Sequence, residues 1–486
     1  MKILRKFIGQ NLIKSASIAD KGTPVRSKLV RVIDHAQNTK SPYRTIYSRF
    51  LKSEPDLTDE EFFYAFSHLP ILEKDDLIES YERQKRPLNP AEAIFQENKL
   101  YPQSITKLLK FAFSHKNYMT LFPAYKTKED ELSLKYTSRK ELCHYINGYL
   151  DAYKQQGWKI GEPILFVYAH SALVPHFFKN HEDFLKRYFA TSFLCINDET
   201  KDNIGELVTQ ELHNNKCQML ITNPATLFYI AQNMSKKATA PHTQTLKINL
   251  SGQPLADCTR FFIQKHFPES DIQSSYTTLT CGCIAHQKAL NSFEYDVMSN
   301  RVHLEQGPDN TILLTSFYPR QFPLIRYKVT DTGRIVTHEN GTQSIQPLEG
   351  KADNHIVNSK DYLFFTSYFN DVVNRINKSM NDPIRFFSVR HDKKFGKQYL
   401  RLHCVVEHEK KNEQIAHMAW EILSHTFANY HYIDIKFKTF SDQVLENNFQ
   451  VVDRKEGFAD EIEAKLIEHA APSNTDIEEQ PQEKAS

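Results

Sequence analysis

Glycine is scarce in this chain: only 14 of its 486 residues are glycine, against an average usage of roughly 7%. Loops that cradle phosphate groups depend on glycine, because a residue without a side chain lets backbone N–H groups approach the anion. A glycine-rich phosphate loop is therefore not expected. The net charge is also small, at +2, so the composition gives no electrostatic reason to expect a nucleic-acid partner.

Long apolar runs are missing as well. No stretch of roughly 18 apolar residues occurs, so no transmembrane segment is predicted. The segment 1–8 is basic and apolar, but Gln10, Asn11 and Lys14 soon interrupt the pattern, which fits a short amphipathic helix better than a signal peptide. The seven cysteines are odd in number and mostly embedded in apolar segments, which favours buried thiols in a reducing cytoplasm.

The chain is long enough for more than one domain, since single cores stop growing near about 250–300 residues. We predict an α/β protein in four parts, which are a helical amino-terminal part of the large domain (1–120), its α/β core with mixed or parallel sheets (121–347), a small α+β domain (348–458) and an acidic, disordered tail (459–486). The tail has too few apolar residues to form a core.

Helices and strands alternate from about residue 137. Predicted strands at 163–168, 219–222 and 246–250 are separated by helices, which indicates a mostly parallel sheet. Ligands of such sheets bind at the carboxyl ends of the strands. The candidate lining is therefore found in the segments that follow strands, which are His170-Ser171, Ser251-Gly252-Gln253-Pro254, Tyr276-Thr277-Thr278 and Asp331.

The segment 322–331 reads Phe-Pro-Leu-Ile-Arg-Tyr-Lys-Val-Thr-Asp and follows an apolar strand at 312–317. Pro323 cannot donate to a sheet ladder, so the second strand is predicted to start after it. This arrangement delivers Asp331 to a strand end beside Gly333, where a carboxylate can accept hydrogen bonds from a vicinal diol such as a ribose. The alternative is an edge hairpin with a solvated aspartate.

Several segments in order resemble the phenylacetate–coenzyme A ligase branch of the adenylate-forming ligases, which also contains capsule-biosynthesis relatives. The resemblance covers most of residues 25–455. The segments that carry it are Ser41-Pro42-Tyr43-Arg44, Leu69-Pro70-Ile71-Leu72-Glu73-Lys74-Asp75-Asp76-Leu77, Ser251-Gly252-Gln253-Pro254-Leu255, Tyr276-Thr277-Thr278-Leu279-Thr280, Arg326-Tyr327 with Asp331, and Gly350-Lys351-Ala352-Asp353-Asn354.

The resemblance implies a nucleotide site and, in an active member, the cofactors ATP with Mg²⁺ and coenzyme A. It places six residues at the cofactor site, which are Asp331, Arg326, Tyr276, Thr277, Gly252 and Lys351. No metal-binding residue of the chain is assigned. A small-molecule carboxylate or CoA thioester is the implied ligand, and a protein partner or a homodimer is a further expectation.

The chain departs from the family pattern where ATP chemistry takes place. The phosphate loop is replaced by residues 125–131, which hold three acidic residues and no glycine and would repel a triphosphate. Thr280 stands where the family has a Mg²⁺-binding glutamate, although hard cations favour carboxylates. Lys351 replaces an arginine, and Asn447 takes the place of a mobile lysine unless Lys455 substitutes for it.

Two other groups of residues are candidates for a catalytic or metal-binding role. His170 at a strand end is a weak catalytic candidate as a base near neutral pH, and the alternative is a structural histidine. Cys281, Cys283 and His286 have a metal-like spacing, but no second cysteine pair follows, so buried structural cysteines are the competing interpretation. An acyl-accepting role for Cys281 is a further alternative.

Two functions remain open. One is a non-adenylating protein that binds an acyl or aryl carboxylate or CoA, or that acts as a partner of an active ligase. The other is an active ATP-dependent carboxylate–CoA ligase, in which Lys126 or Lys128 serves the phosphates and Lys455 serves catalysis.

Overall fold

The computed structural model describes the chain in the ranges 23–39, 43–76, 119–126, 132–169, 190–237, 244–278, 280–287, 293–318, 323–351, 355–358, 360, 362–364, 366–381, 383–406, 409–437, 452–454 and 458–460. Within them the α-helices are α1 (Val25–Gln37), α2 (Arg44–Ser53), α3 (Asp59–Ser67), α4 (Arg139–Gln155), α5 (Ile204–Asn214), α6 (Pro224–Lys236), α7 (Asp257–His266), α8 (Thr366–Met380) and α9 (Asn412–Thr426). Short 3₁₀ helices occupy Glu54–Asp56, Lys201–Asn203, Pro308–Asn310 and Glu409–Lys411.

The described strands are β1 (Met119–Lys126), β2 (Leu132–Ser138), β3 (Ile164–Ala169), β4 (Thr191–Ile196), β5 (Met219–Thr222), β6 (Leu246–Ser251), β7 (Ser270–Thr278), β8 (Gly282–Gln287), β9 (Tyr295–Val297), β10 (Val302–Gln306), β11 (Thr311–Ser316), β12 (Tyr327–Thr337), β13 (Gln343–Lys351), β14 (Ile356–Val357), β15 (Leu363–Phe364), β16 (Ile384–Lys394), β17 (Lys397–Val406), β18 (Tyr432–Phe437) and β19 (Val452–Arg454).

One large mixed sheet dominates the fold, with strand order β10-β11-β12-β13-β9-β8-β7-β6-β5-β3-β4. The pairs from β4 through β3, β5 and β6 to β7 are parallel. On the other side of β7, the pairs through β8, β9, β13, β12 and β11 to β10 are antiparallel. Helices α5, α6 and α7 contribute to the apolar core that covers the parallel half. The predicted α/β class with helices between parallel strands is confirmed.

Local sequence signals account for the helix starts. Asn223 accepts a hydrogen bond from the Thr226 N–H at 2.8 Å, and Pro224 occupies the first turn of α6, where its missing N–H has no cost. Thr58 and Glu61 form a complete capping box at the start of α3, as their spacing predicts. The segment 69–77 is also predicted from the sequence to start a helix. That start is wrong, because Leu72 forms a β-bridge with Tyr327.

The predicted surroundings of Asp331 are also wrong. Strand β12 does not end there but continues to Thr337, and it lies between β11 and β13 rather than at a sheet edge. The register between β12 and β13 shifts on both sides of Gly333, and such bulges redirect neighbouring side chains. Asp331 is therefore partly buried beside a bulge, not solvated in an edge hairpin.

The carboxyl-terminal part forms a second sheet, ordered β18-β17-β16-β19, whose core includes residues of α8 and α9. For this part the sequence predicts a helix around 368–380, a strand at 399–407, a helix at 413–429 and a strand near 433–437, but no strand where β16 lies. Its Phe386 packs on Phe228 of α6, with ring centroids 4.9 Å apart. Strand β13 continues past the predicted domain boundary at 347 to Lys351, and the division into domains remains a prediction.

Candidate functional site

The carboxyl ends of β6 and β7 bring three of the predicted site residues together. These strands are parallel, and Ser251 lies opposite Ser275. Gly252 therefore follows β6 beside the carboxyl-terminal end of β7, which contains Tyr276 and Thr277 and stops at Thr278. The backbone of Gly252 has φ +86° and the residue is exposed, so a glycine suits this left-handed turn. This edge of the sheet is where ligands of parallel sheets bind.

Asp331, in the antiparallel half of the sheet, contacts the end of β7 through Tyr276. The Tyr276 hydroxyl donates a hydrogen bond of 2.8 Å to Oδ2 of Asp331, and Lys351 lies opposite Asp331 in the β12–β13 register. Burial raises the pKa of Asp331, while the bond from Tyr276 and the charge of Lys351 act in the opposite direction. Burial and the nearby Asp331 carboxylate raise the pKa of Tyr276 well above its ordinary value. The tyrosine therefore stays a neutral donor.

Arg326 does not join this cluster. Its Nε lies 3.1 Å from Oε1 of Glu305 in β10, and its Nη1 donates to the Leu69 carbonyl oxygen. Its backbone N–H donates to Oγ1 of Thr315 at 2.9 Å, and its φ is +51°. Burial raises the pKa of Glu305 to about 7, although Arg326 acts to lower it. In this structure the guanidinium holds the segment before Leu72 against the sheet.

The turn after β7 is closed by its own hydroxyl groups. Oγ1 of Thr278 accepts a hydrogen bond of 3.0 Å from the Cys281 N–H, and the Thr280 hydroxyl lies 3.4 Å from the same oxygen. Thr280 is only 6% exposed. Mg²⁺ keeps near-octahedral oxygen ligands that are usually carboxylates, phosphates and waters. A buried neutral hydroxyl engaged in its own turn does not fit that ion.

The predicted cysteine cluster lies inside the protein. Cys281 and Cys283 are 3% and 0% exposed, and the Cys283 thiol donates to the Ala285 carbonyl oxygen at 3.5 Å. Burial raises the pKa of Cys283 to about 12, and a protonated thiol is a poor nucleophile and metal ligand. Among the residues that the structure describes, no group of three His, Cys, Asp or Glu side chains is arranged to hold a metal ion.

Several predicted residues lie outside the described ranges. They are His170, Asn447, Lys455 and the loop 127–131. Lys126 is described only as the last residue of β1, which pairs with β2 in an antiparallel hairpin. The catalytic roles of His170 and Lys455 therefore remain predictions.

Glu305 is the polar residue that sequence reasoning missed. It lies in β10, next to Leu304, which is 1% exposed, and its own side chain is 14% exposed. An acidic residue within a short apolar strand is an available signal, because a buried charge needs a partner. The sequence does not reveal that this partner is Arg326, which becomes a neighbour only when β10, β11 and β12 are assembled.

In the described part of the chain, no helix has both the length and the apolar character that crossing a membrane requires. No family model and no curated protein matches the sequence.

Similar folds are found among solved structures. Two are crystal structures of 2-hydroxyisobutyryl-CoA ligase in the postadenylation state, in complex with R3-HIB-AMP and with 2-HIB-AMP. Each is 12% identical to this chain, the match covers 93% of both chains, and the TM-scores are 0.60 and 0.61. The same ligase with 2-HIB-AMP and CoA in the thioesterification state matches with a TM-score of 0.50, again at 12% identity, over 93% of this chain and 94% of that one.

The chain therefore has the fold of the adenylate-forming acyl-CoA ligases, as the order of its sequence segments predicts. At this level of identity the likeness concerns the fold.

Proposed function

We propose that this protein is a degenerate member of the adenylate-forming fold, which binds an acyl or aryl carboxylate or its CoA thioester without activating it with ATP. The observation that carries the proposal is the turn after β7. Where a Mg²⁺-binding carboxylate is required, the chain has Thr280, which is buried beside Thr278 and contributes only a neutral oxygen. The phosphates of ATP lose their counterion at this position.

The engagement of Arg326 supports the same interpretation. A guanidinium in a buried ion pair with Glu305 and in a hydrogen bond to the Leu69 carbonyl oxygen is not available to a phosphate without breaking both contacts. Breaking a buried pair leaves an uncompensated charge and is strongly unfavourable. Arg326 therefore supports the sheet rather than the nucleotide.

Asp331 supports retained binding. Its carboxylate accepts only the Tyr276 bond among the hydrogen bonds of the described residues, and an ionised carboxylate has about four acceptor positions. The remaining positions suit a ribose hydroxyl group, and in CoA the free one is the 2′-hydroxyl, since the 3′-hydroxyl carries a phosphate. Lys351 beside it adds a positive charge at the same edge.

Calorimetry and isotope exchange test the proposal. Titration with ATP and Mg²⁺ is expected to give no heat of binding, and carboxylate-dependent pyrophosphate exchange is expected to be absent for a panel of aromatic and fatty acids. Exchange with any acid, or micromolar affinity for ATP, contradicts the proposal.

The binding role is tested on Asp331→Ala, with Asp331→Asn as the matched control that keeps the volume and removes the charge. Affinity for CoA and for acyl-CoA is expected to fall roughly tenfold or more in the alanine variant, because each charge-assisted bond contributes about 1.5–3 kcal/mol. If only the melting temperature falls while the wild-type affinity is retained, Asp331 is structural and the binding role is wrong.

The alternative is an active ATP-dependent carboxylate–CoA ligase that uses substitute residues. What favours it is the extent of the match to 2-hydroxyisobutyryl-CoA ligase, which covers 93% of both chains and therefore includes the carboxyl-terminal part. In that case pyrophosphate exchange is observed, and Lys455→Ala is expected to abolish it without lowering the melting temperature.

A further inference from the structure

The hairpin between β16 and β17 ends in an unusual tip. Lys394 pairs across the strands with Lys397, which leaves a two-residue turn of Phe395 and Gly396. Both have left-handed backbones, with φ of 47° and 79°, as a type I′ turn requires. Phe395 is 90% exposed. We name the segment Lys393–Lys397 the basic tip.

Local physics disfavours this sequence at this place. Type I′ turns strongly prefer Asn-Gly, because asparagine tolerates a positive φ and a bulky aromatic residue rarely adopts it. Lysines directly opposite each other in an antiparallel pair repel. A large apolar ring that stays in water contributes no hydrophobic stabilisation, because its surface is not buried.

Contacts within the described chain relieve only part of this cost. Lys394 forms an ion pair with Asp460, and its Nζ lies 5.4 Å from the centroid of the Phe395 ring. Lys393 and Lys397 form no ion pair with any residue that the structure describes, and both are exposed. When several residues of one turn are locally unfavourable and no contact within the protein compensates for them, a contact with an external partner is the expected reason.

We propose that the basic tip docks on the surface of an anionic phospholipid bilayer. Phe395 would insert its ring at the boundary between headgroups and acyl chains, while Lys393, Lys394 and Lys397 lie at the level of the lipid phosphates. An aromatic ring with flanking lysines suits this layered environment, because the ring leaves water and the ammonium groups stay among anions. The proposal is independent of the ligand site at Asp331.

The composition of the tip favours a lipid surface over a protein partner. Protein interfaces are enriched in arginine and depleted in lysine, and the basic tip contains three lysines and no arginine. A stable protein interface also buries roughly 800 Å² on each partner around a central apolar patch. A single ring on a convex hairpin does not form such a patch, whereas a fluid bilayer requires no matching shape.

A single weak anchor gives only marginal, reversible binding, and stable attachment needs a second signal. Residues 1–8, where Lys2, Arg5 and Lys6 alternate with apolar residues, lie outside the described ranges, and the sequence predicts a short amphipathic helix there. Basic amphipathic segments of this type are typical of membrane-surface binding.

Vesicle co-sedimentation of the full chain tests the proposal. Vesicles of phosphatidylcholine with about 30% phosphatidylserine are compared with pure phosphatidylcholine vesicles, at low and at high salt. The wild-type chain is expected to bind only the anionic vesicles, and to bind less at high salt. The variant Phe395→Asn is expected to bind roughly tenfold more weakly, while its melting temperature stays equal or rises, because Asn-Gly is the preferred type I′ pair.

Two further variants separate the tip from general adsorption. Lys393→Gln with Lys397→Gln is expected to weaken binding to a similar degree. Trp420→Ala removes another exposed aromatic ring, 52% exposed on α9, and is expected to leave binding unchanged.

The proposal is overturned if the wild-type chain ignores anionic vesicles, or if Phe395→Asn binds as the wild type does. An equal loss in Trp420→Ala also overturns it, because adsorption is then unspecific. If the wild-type chain binds polyglutamate without lipid, with the same dependence on Phe395, the partner is an acidic protein and the lipid assignment is wrong.

Discussion

Family resemblance places two residues in one nucleotide site, Arg326, which directly precedes strand β12, and Asp331, which lies within it. The structure gives them opposite surroundings. Arg326 is bound within the protein on three sides, by Glu305, by the Leu69 carbonyl and by Thr315. Among the hydrogen bonds of the described residues, the Asp331 carboxylate accepts one, from the Tyr276 hydroxyl. Two residues of one family motif can therefore both be kept in the sequence, while one of them serves the fold and only the other has acceptor positions left for a ligand.

The comparison predicts its largest effect at Arg326. Above about pH 7, where Glu305 is ionised, Arg326→Ala is expected to lower the free energy of unfolding by about 3–5 kcal/mol, because the Glu305 carboxylate is left buried without a partner. Alanine keeps the same positive-φ strain, so the backbone contribution is unchanged. The matched control is Lys328→Ala, two residues further along in β12. Its ion pair with Glu73 is exposed and contributes less than about 1 kcal/mol. Equal losses in urea denaturation would contradict the assigned role of Arg326.

The pH dependence of stability sharpens the comparison next. Burial raises the pKa of Glu305 to about 7 from its ordinary value of 4.5, so the folded state binds this proton more tightly than the unfolded state does. The stability that it contributes is complete below about pH 4.5 and is lost as the pH rises through about 7, a change of about 3 kcal/mol at most. We expect the free energy of unfolding, measured by urea denaturation, to fall less steeply with pH across this range in Glu305→Gln than in the wild type. An unchanged slope contradicts the assignment.

Tyr276→Phe has a smaller expected effect. Removing the hydroxyl leaves the Asp331 carboxylate without its described donor, which lowers the free energy of unfolding by about 1–2 kcal/mol and raises the pKa of Asp331 further. A double-mutant cycle with Asp331→Asn isolates the pair, since the two changes should not add. Additive effects would show that Tyr276 and Asp331 do not interact.

Lys351→Gln has the smallest expected effect. Lys351 is exposed, so its removal changes the free energy of unfolding by less than about 1 kcal/mol. The pKa of Asp331 is expected to rise, because the lysine charge favours the ionised carboxylate, and carboxyl-carbon NMR titration measures it. Lys351→Arg keeps the charge and is expected to leave the pKa unchanged. A fall in the pKa of Asp331 in the glutamine variant contradicts the prediction.

Compact apolar runs made part of the fold predictable. Residues 219–222 are all buried in β5, and Pro224 opens α6 after Asn223, so the strand and the start of the helix are predicted to the residue. Strand β16 was missed because polar residues interrupt its apolar pattern. Arg385, His391 and Asp392 are each at most 8% exposed within it, and only tertiary partners make such burial acceptable.

The candidate site was predictable to a different degree. Tyr276 and Asp331 are 55 positions apart along the chain, and the order of family-like segments was enough to bring them together. The assignment of Arg326 to the nucleotide came from the same pattern, but the pattern does not contain Glu305. Which of two polar neighbours a side chain prefers depends on sheet register, and that register follows from packing rather than from local sequence.

Helix α7 has a consequence for how this protein is made. Phe262 and Ile263 belong to the core of the large sheet, while Ala256 and Cys258 belong to the core formed by α8, α9 and the second sheet. During synthesis the second face of α7 stays uncovered until α8 (Thr366–Met380) emerges from the ribosome, and exposed apolar surface of this kind promotes aggregation. In a shortened chain that ends near residue 347, that face of α7 would stay exposed to solvent, so we expect this chain to accumulate in inclusion bodies.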